Sequence, residues 1–401
     1  MINYIEFEHY RIFAEKQHLR LAPLTVVFGK NNTGKSAVLK LPLILRSAMN
    51  CDTNNVFPKV DISGVSLCDE YRDVVYGKGN HAVGLHFGDE DVEVIVEFIA
   101  ENNAGTSHSQ IETISVKSNG QKLEAQIDDN GDLKDVRTGE PVQFYGLTPK
   151  GGQYKEWIKS SYQKLGMMID YIGPVRCTPE RYLKLNEHLD GTSKTDGSNA
   201  YTYLVNDSLN ALHPMLDKVS DWYATNFGGW HIEVNNSRSP IYSIELSNGI
   251  LSNNNILDAG FGIQQSLPIV VAASRQYGAP VLIIIEEPES HLNPSAHAEI
   301  GELLARSAKE DENKRFLVET HSLNLMVRLR TLIARGILTK EDVALYFVDY
   351  NSKGSRSKLV EVNIKDNGEV ENWPENMFRE TLSEAMALRD AQMTKKHESK
   401  N

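Results

Sequence analysis

The chain has 401 residues, with 42 Lys and Arg against 54 Asp and Glu, giving a formal net charge of −12. That balance excludes a surface that is basic throughout, though not a local basic groove, because nucleic-acid binding depends on where charges lie. The three cysteines, Cys51, Cys68 and Cys177, are widely spaced and fit no disulfide framework or metal-binding pattern, which suits a reducing compartment.

The N-terminal residues Met1-Ile2-Asn3-Tyr4-Ile5-Glu6 lack the basic start and apolar centre of a signal peptide. No apolar run is long enough to span a bilayer, so a cytoplasmic protein without a membrane segment is expected. Residues 1–30 read as short strands, ending in Leu24-Thr25-Val26-Val27-Phe28. Next comes Gly29-Lys30-Asn31-Asn32-Thr33-Gly34-Lys35-Ser36, and a helix that begins Ala37-Val38-Leu39 and bends at Pro42. Strand, glycine-bounded loop and helix is the context that makes this string a P-loop. Gly29, Asn31, Asn32, Thr33 and Gly34 would wrap backbone N–H groups around ATP phosphates at a helix N-terminus. Lys35 would reach the β- and γ-phosphates, and Ser36 would bind Mg²⁺.

Residues 51–150 read as a β-rich subdomain. It contains a hairpin of 82–87 with 92–98, and another whose turn is Asn119-Gly120. Asp89-Glu90-Asp91 falls in the first hairpin's loop and reads as a solvated turn. Residues 151–256 read as a mostly helical insertion, with strands returning near Trp230 and Ile241. An amphipathic run follows from Leu257 to Ala273.

The buried strand Leu282-Ile283-Ile284-Ile285 ends in Glu286-Glu287-Pro288. Acids at the carboxyl end of such a strand reach the crevice where ligands bind in open α/β sheets. Glu286 would hold Mg²⁺, directly or through water, and Glu287 would polarise the attacking water. A helix from Pro294, a strand at Phe316-Leu317-Val318, a helix over 323–333 and a small β unit from Val343 complete the ordered chain.

Four motifs in order now carry a resemblance. Glu286-Glu287-Pro288-Glu289-Ser290-His291-Leu292-Asn293-Pro294 resembles the Walker B segment and D-loop of ABC-type ATPases of the RecF/SMC/OLD-like branch. Asp258-Ala259-Gly260-Phe261-Gly262-Ile263-Gln264-Gln265 resembles the signature segment of that branch, and Glu319-Thr320-His321-Ser322 its switch histidine. His9-Tyr10-Arg11-Ile12-Phe13 is similar to its first strand, whose arginine, Arg11 here, lies near the nucleotide. Weaker matches at 171–176, 196–200 and 372–378 resemble bacterial OLD-like ATPases with a small C-terminal domain of unknown function.

The resemblance implies an α/β ABC-type ATPase head, with residues 1–50 and 257–340 as its core, 341–385 as a small C-terminal unit and 386–401 as a disordered tail. It also implies ATP hydrolysis with Lys35, Glu287 and His321 catalytic, and an ATP-sandwich homodimer or higher homo-oligomer. There Gly260, Gly262 and Gln265 of one chain would donate to the γ-phosphate held by the other. Glu286 stands where most relatives have Asp, Gln264 where related sequences often have Ser, and the Q-loop glutamine stays unassigned.

No Asp-x-Asp pair follows Ser322, as the nuclease module of OLD-family proteins would require, so no intrinsic nuclease is expected. The expected output is control of a separate effector, a nuclease or toxin, in anti-phage defence. The alternative is a DNA-binding clamp in repair or genome maintenance, and DNA binding stays open. The effector surface would lie on the added parts, with Phe378 and Trp373 as candidate aromatic anchors, Trp373 being equally suited to plug the domain's own core.

Overall fold

The structure, a computed structural model, describes residues 1–51, 57–61, 63–100, 109–185, 191–250, 254–374, 377, 387 and 389. The chain begins with β1 (Tyr4–Glu8), β2 (Gln17–Arg20), β3 (Leu24–Gly29) and α1 (Lys35–Met49). Strands β4 (Val83–Gly88), β5 (Val92–Ala100), β6 (Ser109–Ser118), β7 (Gln121–Ile127) and β8 (Leu133–Asp135) follow. Next come β9 (Phe144–Tyr145), β10 (Thr148–Pro149), α2 (Lys155–Leu165), β11 (Met168–Ile172), β12 (Leu183–Lys184), α3 (Ala200–Ser208) and α4 (Pro214–Asn226). The last third holds β13 (His231–Arg238), β14 (Ile241–Ser247), β15 (Asn254–Asn255), α5 (Phe261–Ser274) and β16 (Val281–Glu286). It ends with α6 (Pro294–Glu310), β17 (Lys314–Thr320), α7 (Leu323–Ala334), β18 (Val343–Asn351) and β19 (Arg356–Val362).

The fold is mixed α/β with several sheets. Its central sheet runs β11-β16-β17-β3-β18-β19, parallel from β11 to β18, with β19 antiparallel at the edge. Strands buried on both faces read as continuous apolar runs, as β3 and β16 do. Successive side chains alternate between two cores. Leu282 and Ile284 of β16 and Leu317 of β17 pack into the core shared with α1 and the β1–β8 sheet. Ile283, Ile285, Phe316 and Val318 pack into the core shared with α3–α7. By the same parity Glu286 and Glu319 fall on the α1 side, and the register pairs them across neighbouring strands. Every parallel strand therefore delivers its carboxyl end to one edge, where ligands bind in open α/β sheets.

The expected hairpins form. β4 pairs with β5, and β6 with β7 around Asn119 (φ 50°) and Gly120 (φ 74°), the left-handed geometry of a tight hairpin turn. They do not make a separate subdomain of 51–150, because β1 and β2 complete the same seven-stranded antiparallel sheet, β2-β1-β4-β5-β6-β7-β8.

Two further expectations are corrected. The stretch 151–256 is not purely an insertion, since β11 within it pairs with β16 in the central sheet. A five-residue segment interrupted by Asp170 carries too little periodicity to be told from helix. The C-terminal unit is not separate either, because β18 lies directly against β3, and the remainder of 341–385 beyond Pro374, Met377 excepted, lies outside the described residues. Of the two places open to Trp373, surface anchor or core plug, the structure takes the second. The indole stacks on Phe28 at 5.4 Å between ring centroids and packs against the helical core. Phe378 and the expected tail at 386–401, apart from 387 and 389, also lie outside the described residues. Among those described, no helix is long and apolar enough to cross a membrane.

Candidate nucleotide site

The P-loop joins the carboxyl end of β3 to the amino end of α1. Gly29 (φ +155°) and Gly34 (φ +102°) bound it, and both lack room for a side chain. A Cβ at Gly29 would stand 2.9 Å from the Val348 carbonyl oxygen, and one at Gly34 would stand 2.6 Å from Ile12. Asn31 and Asn32 are exposed, and Asn32 takes φ 59°, a conformation Asn tolerates better than most residues. Thr33 is buried, its hydroxyl donating to the Lys30 carbonyl at 2.9 Å while Ser357 donates to its own carbonyl at 2.6 Å. The loop is thus braced from within and from β19.

Lys35 is 4% exposed, and its ammonium donates to the Lys30 carbonyl at 2.9 Å and lies 3.5 Å from Glu319. Ser36 donates to the other Glu319 oxygen at 2.8 Å. Two groups suited to phosphate and metal therefore converge on one buried carboxylate. Burial raises the Glu319 pKa; Ser36 and Lys35 oppose this, and the charges of Glu286 and Glu287 reinforce it. The motif around His321 contains Glu319 but gives it no role from sequence alone. The signal available was strand parity together with the Glu286–Glu319 register, and that register is a long-range fact.

Glu286 is 8% exposed and accepts from the Tyr171 hydroxyl. Burial raises its pKa, while Tyr171 and Lys40 pull the other way. Glu287 begins the turn after β16 at φ 45°, strained for a side chain with a Cβ. Its backbone N–H is tied to the Glu319 carbonyl at 2.8 Å, and Ser290 donates to its carboxylate at 2.9 Å. His321 faces it, Nε2 to Oε1 3.9 Å. Burial, then the Lys35 charge, lowers the His321 pKa against the pull of Glu287. Glu289 holds the His321 backbone N–H at 2.6 Å. Ligand atoms of Glu287, Glu319 and His321 all lie within 4.8 Å of one another, close enough to share a cation.

Other expected residues stand differently. Arg11 is committed to the Leu67 carbonyl and the Tyr10 hydroxyl, so its guanidinium is already in use. Gly260 is exposed at the amino end of α5. Gly262 is required locally, since a Cβ there would meet the His291 carbonyl oxygen at 2.9 Å. Gln265 is 2% exposed, and its amide donates inward to the Arg176 carbonyl at 3.2 Å. It cannot serve as a donor to another chain without leaving the core. The Leu257–Ala273 run is not amphipathic either, because α5 is buried continuously from Gln264 to Ala273 and carries no polar face there.

Residues 178–327 match the family described as "AAA domain, putative AbiEii toxin, Type IV TA system". Over those residues the chain is similar to an AAA-type ATPase domain. The match takes in the signature-like segment, Glu286, Glu287 and His321, and starts after the P-loop. Residues 338–388 match a second family, "Protein of unknown function (DUF3696)". Together they bear out the resemblance to OLD-like ATPases that carry a C-terminal part of unknown function. No curated protein matches the chain. Among solved structures, an SMC head bound to the C-winged helix domain of ScpA is similar at 12% identity and TM-score 0.48, over 90% of this chain and 97% of that one. The SMC head domain from Thermotoga maritima is similar at 11% identity and TM-score 0.42, over 90% and 99%. An SMC head from Pyrococcus furiosus with an extended coiled coil, bound to the C-terminal domain of ScpA, gives 11% identity and TM-score 0.45, over 98% and 99%. At the carboxyl edge of the central sheet, the P-loop and the carboxylates of Glu286, Glu287 and Glu319 come together.

Proposed function

We propose that the chain hydrolyses ATP and uses the cycle to control a separate effector protein. The observation that carries this reading is the convergence of Lys35 and Ser36 on Glu319, beside Glu286 and Glu287, at the carboxyl ends of parallel strands. The residues fit their ligands. The loop bounded by Gly29 and Gly34 is held open by positive φ, and a hydroxyl with two buried carboxylates is an all-oxygen set of the kind a hard cation needs. Magnesium held by Ser36, Glu286 and Glu319 would supply charge neutralisation at the phosphates.

Lys35 would turn from Lys30 and Glu319 to the phosphates, because an anion at the loop is the stronger partner for its ammonium. Glu287, with Ser290 fixing one oxygen, would orient the attacking water and take its proton. The His321 imidazole opposite, 3.9 Å from Glu287, would sense that step. Backbone N–H groups at the exposed start of α5 would complete the site of a second chain, so each nucleotide would be shared across a homodimer.

The matched family is described as a putative toxin of a type IV toxin–antitoxin system, which is said of that family, and control of a separate effector by this chain is a further step of the proposal. The setting proposed is defence against phage. The test is complementation. Lys35→Ala removes the phosphate cation. Gly260→Asp adds a negative charge at a position with no neighbour within 4 Å and an ordinary φ of −58°, so the fold should tolerate it. Each variant alone should fail to release phosphate from ATP, and mixing them should restore part of the wild-type rate. Two variants that associate without regaining activity would overturn the shared site. DNA-stimulated turnover without a stable protein partner would favour the clamp reading instead.

A further inference from the structure

Arg176 lies at none of the positions the motif reading assigned to catalysis, yet it is 4% exposed. It follows β11, the edge strand beside β16, in the segment Gly173-Pro174-Val175-Arg176. That segment is pinned by the loop before α3: Gly173 N–H donates to the Thr195 carbonyl at 2.8 Å and Cys177 N–H to Asp196 at 2.9 Å. One guanidinium nitrogen then donates to two consecutive carbonyls, Glu286 at 2.6 Å and Glu287 at 3.0 Å. Nε and the other terminal nitrogen are buried without a hydrogen-bond partner among the described residues. Burial lowers the Arg176 pKa to about 10, opposed by Glu289, Glu287 and Glu286 in that order. Burying a cation with unspent donors is costly. Packing alone gives no reason for it, since an apolar side chain would fill the same space more cheaply.

What the charge does is visible in what it holds. Glu287 sits at φ 45°, a conformation that persists only where its surroundings over-determine it. Two constraints do so here: Glu319 accepts the Glu287 N–H from one side, and Arg176 clamps the carbonyls from the other. The clamp is in turn tied to α5, because Gln265 donates to the Arg176 carbonyl at 3.2 Å. A continuous hydrogen-bonded path thus runs from the helix whose exposed amino end carries Gly260, through Gln265 and Arg176, to the backbone of Glu287.

We propose that Arg176 is a positioning residue that fixes the Glu286–Glu287 turn, and that Gln265 couples this turn to the amino end of α5. The proposal rests on the reading of Glu287 as the group that orients water. A second chain's nucleotide engaging α5 would thereby be felt at this chain's own water-orienting carboxylate, which makes turnover depend on pairing rather than on ATP binding alone.

The test uses the full chain with Arg176→Gln and Arg176→Lys, both able to donate at least one hydrogen bond, alongside Gln265→Ala. Arg176→Gln should lower kcat about 100-fold, the scale of a 1 Å misplacement, with ATP affinity near wild type. Arg176→Lys should recover part of the loss. Gln265→Ala should lower kcat less, and adding it to Arg176→Gln should cost nothing further. A kcat near wild type in Arg176→Gln, or full additivity with Gln265→Ala, would overturn the proposal. Amide exchange in nucleotide-free protein gives a readout that needs no catalysis. Arg176→Gln should speed exchange over 284–290 and leave 29–36 unchanged, and unchanged exchange over 284–290 overturns the clamp. If wild type itself fails to turn over ATP, the hydrolysis reading falls while the exchange arm still decides the clamp.

Discussion

The central parallel sheet and the seven-stranded antiparallel sheet both carry ionised side chains, but they use them in opposite ways. On the antiparallel sheet, β1, β2, β4 and β5 alternate buried apolar positions with more exposed ones. On that outer side Glu6 meets Lys16 and His86 at 2.6 Å and His18 at 3.3 Å, and His86 also reaches Glu93 at 3.0 Å. These charges stay near water, find opposite partners and hold neighbouring strands in register. At the carboxyl edge of the central sheet, Glu286, Glu289 and Glu319 are each 8% exposed or less, and burial raises the pKa of all three. One oxygen of Glu289 has no hydrogen-bond partner among the described residues. The outer cluster supports the fold, whereas the inner one burdens it, and a burden concentrated beside a P-loop is the mark of a site.

The sharpest way to break this contrast is Glu287→Gln. The amide keeps size and can still meet Ser290, but it cannot take a proton. The expected result is a fall in kcat of about 10³-fold, within the range for loss of a general base, with ATP still bound. Phosphate release at the wild-type rate would move the catalytic role to another carboxylate, Glu286 first.

A smaller effect should have the opposite sign to an ordinary core substitution. The Glu319 pKa lies above its usual value, burial and the neighbouring Glu286 and Glu287 outweighing Ser36 and Lys35. A carboxylate raised in the folded state contributes stability that is fully present below its unfolded pKa and lost as pH rises through the folded one. At neutral pH the ionised group is therefore a cost that glutamine does not carry. Glu319→Gln should raise stability by about 0.5–2 kcal/mol, the scale of relieved strain at functional sites. Melting curves should show the gain at pH 8 and little or none at pH 4. A loss of stability at pH 8 would mean that the Ser36 and Lys35 contacts outweigh burial, and that this carboxylate supports the fold.

The two sheets also differ in how far they can be read from sequence. The hairpins of the antiparallel sheet are local, so alternation and Asn119-Gly120 suffice to place β4–β7. The P-loop and the acids after β16 are equally local, each an apolar strand with its chemistry attached. What escapes is every contact made by parallel pairing. β18 beside β3, β11 beside β16, and Glu319 beside Glu286 join segments far apart in sequence, and no periodicity announces which strands will be neighbours. The same gap leaves Trp373 open between surface anchor and core plug, since its partner Phe28 belongs to a strand 345 positions earlier. Gln265 owes its expected donor role to the resemblance of its segment to a signature, and nothing local in that segment shows that α5 buries it.

The smallest expected effect tests the outer half of the contrast. Burial alone would raise the Glu6 pKa, but hydrogen bonds from Lys16, His86 and His18 hold it below the usual carboxylate range. A depressed pKa contributes stability that is present above the unfolded value and lost as pH falls through the folded one. Glu6→Gln should therefore destabilise the protein at pH 7, and the difference should fade in acid below about pH 4.5, the ordinary carboxylate value. Because Lys16 and His18 are each more than half exposed, solvent screening keeps the loss to about 0.5–1 kcal/mol or less. High salt should shrink it further, since exposed partners are screened most. Turnover should be unaffected, because this carboxylate holds strands together and touches none of the groups at the sheet edge. Denaturant melts of wild type and variant at pH 7 and pH 4, in low and high salt, read all of this. A loss that persists in acid and salt would show that Glu6 acts through packing, and the division between charges that support and charges that serve would have to be drawn elsewhere.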